Sequence, residues 1–133
     1  MSQENVELVG RGFRAFQAGE FTEMLGFLDP NIKVIPPKEV PGLAGVYHGH
    51  EGFLELLSQW FEPWDEYSIE PEDLIDAGDR VITIERHVGR RKGTGLEVAQ
   101  RVSAIWTIKG GAAVEMRIFL DKREALEAAG LSE

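Results

Sequence analysis

The sequence predicts an α+β fold: a strongly curved, mostly antiparallel sheet wrapped around N-terminal helices, cone-shaped, with an internal pocket. Three observations predict it. Apolar residues recur at helical spacing in the first half of the chain, from Val6 to Phe61. The second half changes to strand-like runs rich in β-branched and aromatic residues. The longest of these, Val98–Asp121, folds back on itself at Gly110-Gly111, the composition of a tight hairpin turn in which both central residues can take positive φ. Helices first and a meander of strands after them place the helices on one face of the sheet.

In chain order, Ser2 can cap a first helix that runs to about Ala18, with Val6, Val9, Phe13 and Phe16 on its apolar face. Gly10 and Gly12 each weaken it by about 1 kcal/mol relative to Ala, which makes sense where something packs closely. Thr22 caps a short second helix holding Met24, Leu25, Phe27 and Leu28, and Asp29-Pro30 stops it. Asn31–Ile35 is a short strand. Pro36, Pro37, Pro41, Gly42 and Gly45 make the following dozen residues a loop, either functional or loosely ordered. A third helix, about Glu51–Phe61, buries Phe53, Leu56, Leu57, Trp60 and Phe61 and ends at Pro63. Tyr67–Ile75 is a strand that Pro71 confines to an edge or a bulge. After the turn at Asp76–Asp79, Val81–Val88 is the next strand, with Ile82, Ile84 and Val88 on the apolar side and Glu85 and His87 read as outward. Asp121 followed by Glu124 fits a capping box for a last short helix ended by Gly130.

A regular ladder from the Gly-Gly turn gives the hairpin two faces. One carries Arg101, Ser103, Ile105, Thr107, Val114, Met116, Ile118 and Leu120; the other carries Gln100, Val102, Ala104, Trp106, Glu115, Arg117, Phe119 and Asp121. The first is the more continuously apolar and is expected to face inward. The second still holds Trp106 and Phe119, and the chain offers helices for one sheet face only, so the other suggests a partner.

Composition bounds the function. The 133 residues make one domain of a size that buries a substantial core. No cysteine is present, so there is no disulfide framework, thiolate metal site or cysteine nucleophile. The net charge of −9, from 14 basic and 23 acidic residues, argues against nucleic acid and anionic membrane as partners. The basic cluster Arg90-Arg91-Lys92 reads as a solvated turn. No run approaches the roughly 20 apolar residues of a membrane span, and the polar, acidic N-terminus is not a signal peptide; a cytoplasmic location is expected. No Gly-rich phosphate loop, flavin or nucleotide signature is present, and no cofactor is expected.

Six segments, taken together and in order, carry a family resemblance: FRAFQAGE (Phe13 to Glu20), Leu28-Asp29-Pro30, Val46-Tyr47-x-Gly49-x-Glu51-Gly52, Asp76-Ala77-Gly78-Asp79-Arg80-Val81, Ile105-Trp106-Thr107 and LDKREALEAAGL (Leu120 to Leu131). The chain resembles the SnoaL-like branch of the nuclear transport factor 2-like superfamily over nearly its whole length. That superfamily holds isomerases, dehydratases, hydrolases, cyclases and non-catalytic binding domains, so fold alone does not name a reaction. The resemblance implies that a steroid isomerase would carry its tyrosine, base and second acid at Gly12, Pro36 and Ser103, and none of those groups is there. The His or Gln that many SnoaL-like proteins show before the Val/Ile-Trp pair is Ala104 here. The resemblance also implies that Ser103, Ile105, Met116, Ile118 and Leu120 line the pocket, while Trp106, Glu115, Arg117 and Phe119 form the outer face of a homodimer.

Each candidate carries two readings. Arg101 could hold a ligand's carboxylate, enolate or phosphate, with Arg86 assisting, or both could simply reach solvent. Asp121 is a general base or a helix cap; Ser103 is a pocket residue or, less readily, a nucleophile. His48 is a rim acid/base or a loop residue, and His48, His50 and Glu51 with the distant His87 could make a metal site, or His48 and His50 are a chance pair in a loop; no metal is expected. Phe13, Phe16, Tyr47 and Trp60 are core residues that also serve as pocket wall. Two functions follow: a small apolar-ligand binding domain that could be an isomerase-, cyclase- or hydrolase-type enzyme, or a non-catalytic homodimerising module whose cone is filled by its own side chains.

Overall fold

The computed structural model describes residues 2–43 and 45–131. The chain runs α1 (Ser2–Gln17), α2 (Phe21–Leu25), β1 (Leu28–Ile35), β2 (Tyr47–His48), α3 (Gly49–Phe61), β3 (Trp64–Ala77), β4 (Arg80–Arg91), β5 (Glu97–Lys109), β6 (Ala112–Phe119) and α4 (Lys122–Ala128). The six strands form one curved sheet in the order β2-β1-β6-β5-β4-β3, antiparallel except where β1 lies parallel to β6. The expected elements are present, with shifted ends. Leu28, Asp29 and Pro30 belong to β1 rather than closing α2, and α2 begins after Glu20, so Thr22 lies inside it. The side chain of Ser2, expected to cap α1, lies outside what is described.

α1 and α3 pack into the concave face of the sheet. Leu8, Val9, Phe53 and Leu56 from the helices meet Ile32, Val34, Val81, Val102, Ala104 and Ile118 from the strands in the main core. The edge strand β3 carries Pro71, and the ladder shifts between Pro71 and Asp73, leaving Glu72 as an extra residue. A strand residue without an N–H is tolerated at such a place.

The hairpin departs from a regular ladder. Lys109 pairs Ala112 and Ile108 pairs Ala113, as a Gly110-Gly111 turn dictates, but the next pair is Thr107 with Glu115. Val114 is a bulge. One extra residue on one strand exchanges the faces of everything beyond it relative to the partner. Met116 therefore shares a face with Trp106, and Ile118 with Ala104, while Ser103 and Ile105 lie opposite Phe119 and Arg117 on the other face. The expected inward set is thus corrected: Met116 and Ile118 face inward, and Ser103 and Ile105 do not.

The outer face is not left open as expected. α4, capped by Asp121 Oδ1 accepting from Arg123 N at 2.8 Å, packs Ala125, Leu126 and Ala129 onto Ile82, Ile84, Ile105 and Phe119. This second small core corrects the placement of two residues: Phe119 is covered by the chain's own helix, and Trp106 lies on the inner face. Of the four residues assigned to the homodimer interface, Glu115 and Arg117 remain on the outer side, with the Arg117 guanidinium 4.9 Å from the Phe119 ring centre.

Candidate functional site

The cone is not filled. Its interior keeps a cavity of about 100 Å³ open to the centres of water-sized molecules, within about 890 Å³ of empty space that runs out through the open mouth. α1 contributes Val9, Gly12, Phe13 and Phe16, α3 contributes Phe53, Leu57 and Trp60, and the sheet contributes Val102, Ala104, Trp106, Met116 and Ile118. Helical periodicity puts the first two groups on one face of each helix. Phe13 meets Trp106 edge to face, with ring centres 5.9 Å apart.

Two polar side chains break this apolar lining, Glu85 and His87 of β4. Each is 4% exposed. Thr83, Glu85 and His87 occupy alternate positions of one strand and so project from the same sheet face. His87 Nε2 lies 2.9 Å from Glu85 Oε1, and Thr83 Oγ1 donates to Glu85 Oε2 at 2.6 Å. Trp106 Nε1 donates to Thr83 Oγ1 at 3.0 Å. On the other side of the ring, His87 Nδ1 lies 2.7 Å from the Tyr67 hydroxyl, which accepts from Trp60 Nε1 at 2.9 Å. A neutral His87 has one consistent arrangement. Nε2 faces a carboxylate and so carries the hydrogen, and Nδ1 then accepts from Tyr67. Two donor chains, Trp60–Tyr67–His87 and Trp106–Thr83, converge on the Glu85 carboxylate. Burial raises the Tyr67 phenol above its ordinary value of 10.0, against the lowering effect of hydrogen bonds with Trp60 and Gln100 and with a smaller raising contribution from Glu85.

Backbone features hold this cluster. The β3 bulge sits beside it, since Pro71 is the cross-strand neighbour of Glu85. Gly89 also faces inward, opposite Tyr67. A Cβ there would lie 2.5 Å from Trp64 Cε3 and 2.8 Å from Tyr67 Cδ1, so the missing side chain is what lets both rings rest on β4.

The expected site residues are dispersed. Phe13, Phe16, Trp60, Met116 and Ile118 line the cavity, whereas Tyr47 and Leu120 pack in the core around it. The Tyr47 hydroxyl donates to Gln59 Oε1. Arg101 is on the outer face, its side chain 60% exposed and paired with Glu72 at 3.0 Å, and Arg86 is its exposed cross-strand neighbour. Neither arginine reaches the interior. Ser103 is buried outside the cavity with an unpartnered hydroxyl. Asp121 is spent on capping α4. His48 is exposed on β2, His50 Nε2 contacts the Leu28 carbonyl at 2.8 Å, and His87 lies in the cavity, so the three imidazoles are apart. No group of three or more ligating side chains gathers among the described residues. The expected outward placement of Glu85 and His87 is overturned. The signal for them was the Thr-x-Glu-x-His alternation itself, masked because the neighbouring isoleucines, Ile82 and Ile84, are buried too, under α4.

Fold and site together define an α+β cone with a buried, hydrogen-bonded Glu85–His87 cluster at the wall of an apolar cavity. The family model for the SnoaL-like domain matches residues 9–116, and the chain belongs to the SnoaL-like family. Among solved structures, an NTF2-like protein from Burkholderia xenovorans is 29% identical, with 97% of each chain covered and a TM-score of 0.74. TerC, co-crystallised with polyporic acid, is 22% identical, with 96% of this chain and 98% of that chain covered and a TM-score of 0.79. An NTF2-like protein from Burkholderia thailandensis is 25% identical, with 94% and 95% covered and a TM-score of 0.78. No curated protein matches the sequence. No helix among the described residues is long and apolar enough to cross a membrane.

Proposed function

We propose that the cone binds a predominantly apolar small molecule and that Glu85, oriented by His87 and Thr83, exchanges a proton with it. The observation that carries this reading is a carboxylate, 4% exposed, at the wall of an otherwise apolar cavity, with both oxygens held by donors. A buried polar network of this kind is costly unless satisfied, and functional sites are where proteins keep them. Each Glu85 oxygen accepts one hydrogen bond and keeps lone-pair capacity for a ligand, since an ionised carboxylate offers about four acceptor sites. The aromatic and aliphatic walls exclude water, which strengthens a proton transfer at the carboxylate. TerC, a protein of the same fold, was co-crystallised with polyporic acid, which is in keeping with small-molecule binding by such cones.

The test uses 5-nitrobenzisoxazole, an apolar heterocycle whose ring opens when a base removes its C–H proton, releasing a coloured phenolate. The wild-type protein is expected to accelerate the opening with saturation, and Glu85→Gln to lose at least about tenfold of that rate, within the range of general-base contributions. Equal rates in the two proteins would remove Glu85 as the base. Gly12→Phe, which fills the cavity from α1, is expected to abolish saturation.

A further inference from the structure

We infer that the polar end of the natural ligand is a hydrogen-bond donor bearing positive charge, an aliphatic ammonium group, seated on Glu85. The inference rests on the preceding reading of the cavity and narrows its ligand.

The argument is a count of donors and charges at the cavity wall. Three lining residues carry side-chain N–H donors: Trp60, His87 and Trp106. The indole of Trp60 is engaged by Tyr67, the indole of Trp106 by Thr83, and His87 Nε2–H by Glu85. Among the described residues, a ligand carbonyl or carboxylate entering this space meets no unengaged side-chain donor on the wall. The acceptor side is different, because the Glu85 oxygens hold one partner each and retain room for more. The wall therefore asks its ligand for a donor.

Charge points the same way. Among the described residues, no lysine or arginine lines the cavity. Arg86, next to Glu85 in sequence, and its cross-strand neighbour Arg101 point to the opposite sheet face, and Arg101 is already paired with Glu72. The carboxylate bordering the cavity is that of Glu85, in contact with His87 Nε2 at 2.9 Å in apolar surroundings. A buried carboxylate is stabilised by a cation in direct contact and destabilised by a second anion. The remaining wall suits an ammonium as well. The rings of Phe13, Trp60 and Trp106 all border the cavity, and aromatic faces attract alkylammonium groups. A carboxylate ligand would have to sit against Glu85 with no counter-charge.

The test is a matched ligand series on one naphthalene body, titrated calorimetrically against the wild-type protein at neutral pH: 2-(2-naphthyl)ethylamine, the corresponding alcohol, its methyl ether, and 2-naphthylacetic acid. The amine is expected to bind at least about tenfold more tightly than the ether, the alcohol to fall between them, and the acid to be weakest. In Glu85→Gln the amine's advantage over the ether is expected to vanish while the ether's own Kd stays within about twofold, which also shows that the variant is folded. An acid or ether that binds wild type as tightly as the amine overturns the inference and leaves the apolar cavity standing. Failure of all four to bind overturns the inference together with the cavity reading, and 5-nitrobenzisoxazole turnover then reports independently whether Glu85 acts as a base.

Discussion

Replacing Gly89 by alanine adds one methyl group to β4, and its consequences can be worked from the structure. The new Cβ would stand 2.5 and 2.7 Å from Trp64 Cε3 and Cδ2 and 2.8 Å from Tyr67 Cδ1. Carbon atoms pack at about 3.5–4.0 Å, so one ring must retreat by about 1 Å and the other by nearly as much. Overpacking of this kind costs about 1–3 kcal/mol. Against it, Gly→Ala stabilises by about 0.4–1 kcal/mol through the unfolded chain. The net loss of about 1–2 kcal/mol corresponds, for 133 residues, to a fall in Tm of about 4–8 °C. The same retreat carries the Tyr67 hydroxyl away from His87 Nδ1, now 2.7 Å distant. Thermal unfolding by circular dichroism reads the first effect, and 5-nitrobenzisoxazole turnover reads the second. Trp64→Leu in the Gly89→Ala background is expected to restore part of the lost stability, because Trp64 makes the two shortest contacts. A Gly89→Ala protein that melts within 1 °C of wild type would show that β4 has slack there and that Gly89 does not position Tyr67.

Glu85→Leu orphans the His87 N–H and the Thr83 hydroxyl and is expected to cost about 2–4 kcal/mol in urea unfolding, whereas Thr83→Val alone costs about 1–3 kcal/mol. Tyr67 keeps its proton in the folded state above pH 10.0, where the unfolded chain releases it; its contribution is therefore present below that pH and is lost as pH rises through the raised folded value. The stability difference between wild type and Tyr67→Phe should shrink between about pH 9 and pH 11 as measured by denaturant titration, and a constant difference would contradict the burial argument. Arg101→Ala removes an exposed pair and should change stability by no more than about 0.5 kcal/mol and naphthalene-ligand Kd values by less than twofold; a larger loss of binding would return Arg101 to the site. Asp121→Ala removes the α4 cap and should cost about 0.5–2 kcal/mol by urea unfolding without altering 5-nitrobenzisoxazole turnover.

The fold was legible because each element follows from a local pattern: the helical stripe of Val9, Phe13 and Phe16, the Gly110-Gly111 turn, Pro71 at a bulged edge strand, and Asp121 before the last helix. The pocket walls on α1 and α3 were legible for the same reason. Of the sheet's contribution only Met116 and Ile118 were, and two physical causes account for the rest. Val114 inserts one residue into β6, and nothing in a run of alternating β-formers distinguishes a bulge from a regular ladder. The inner face of β4 also carries polar residues that satisfy one another, while its outer face is apolar beneath α4, so hydrophobicity selects the wrong side. Arg101, the cation expected to hold a ligand, was drawn inward by that same inverted parity.

α4 bears on how this molecule meets others of its kind. The apolar outer patch formed by Ile82, Ile84, Ile105 and Phe119 has an occupant tied to it by Leu120 and Asp121 alone. So short a tether gives the helix a local concentration in the millimolar range or above, and a free competitor for the same patch must exceed it. Self-association through that patch is thus a contest between a tethered helix and an untethered surface, decided at the Leu120-Asp121 joint rather than at the sheet. Severing or lengthening that joint turns a question of side-chain chemistry into one of chain statistics.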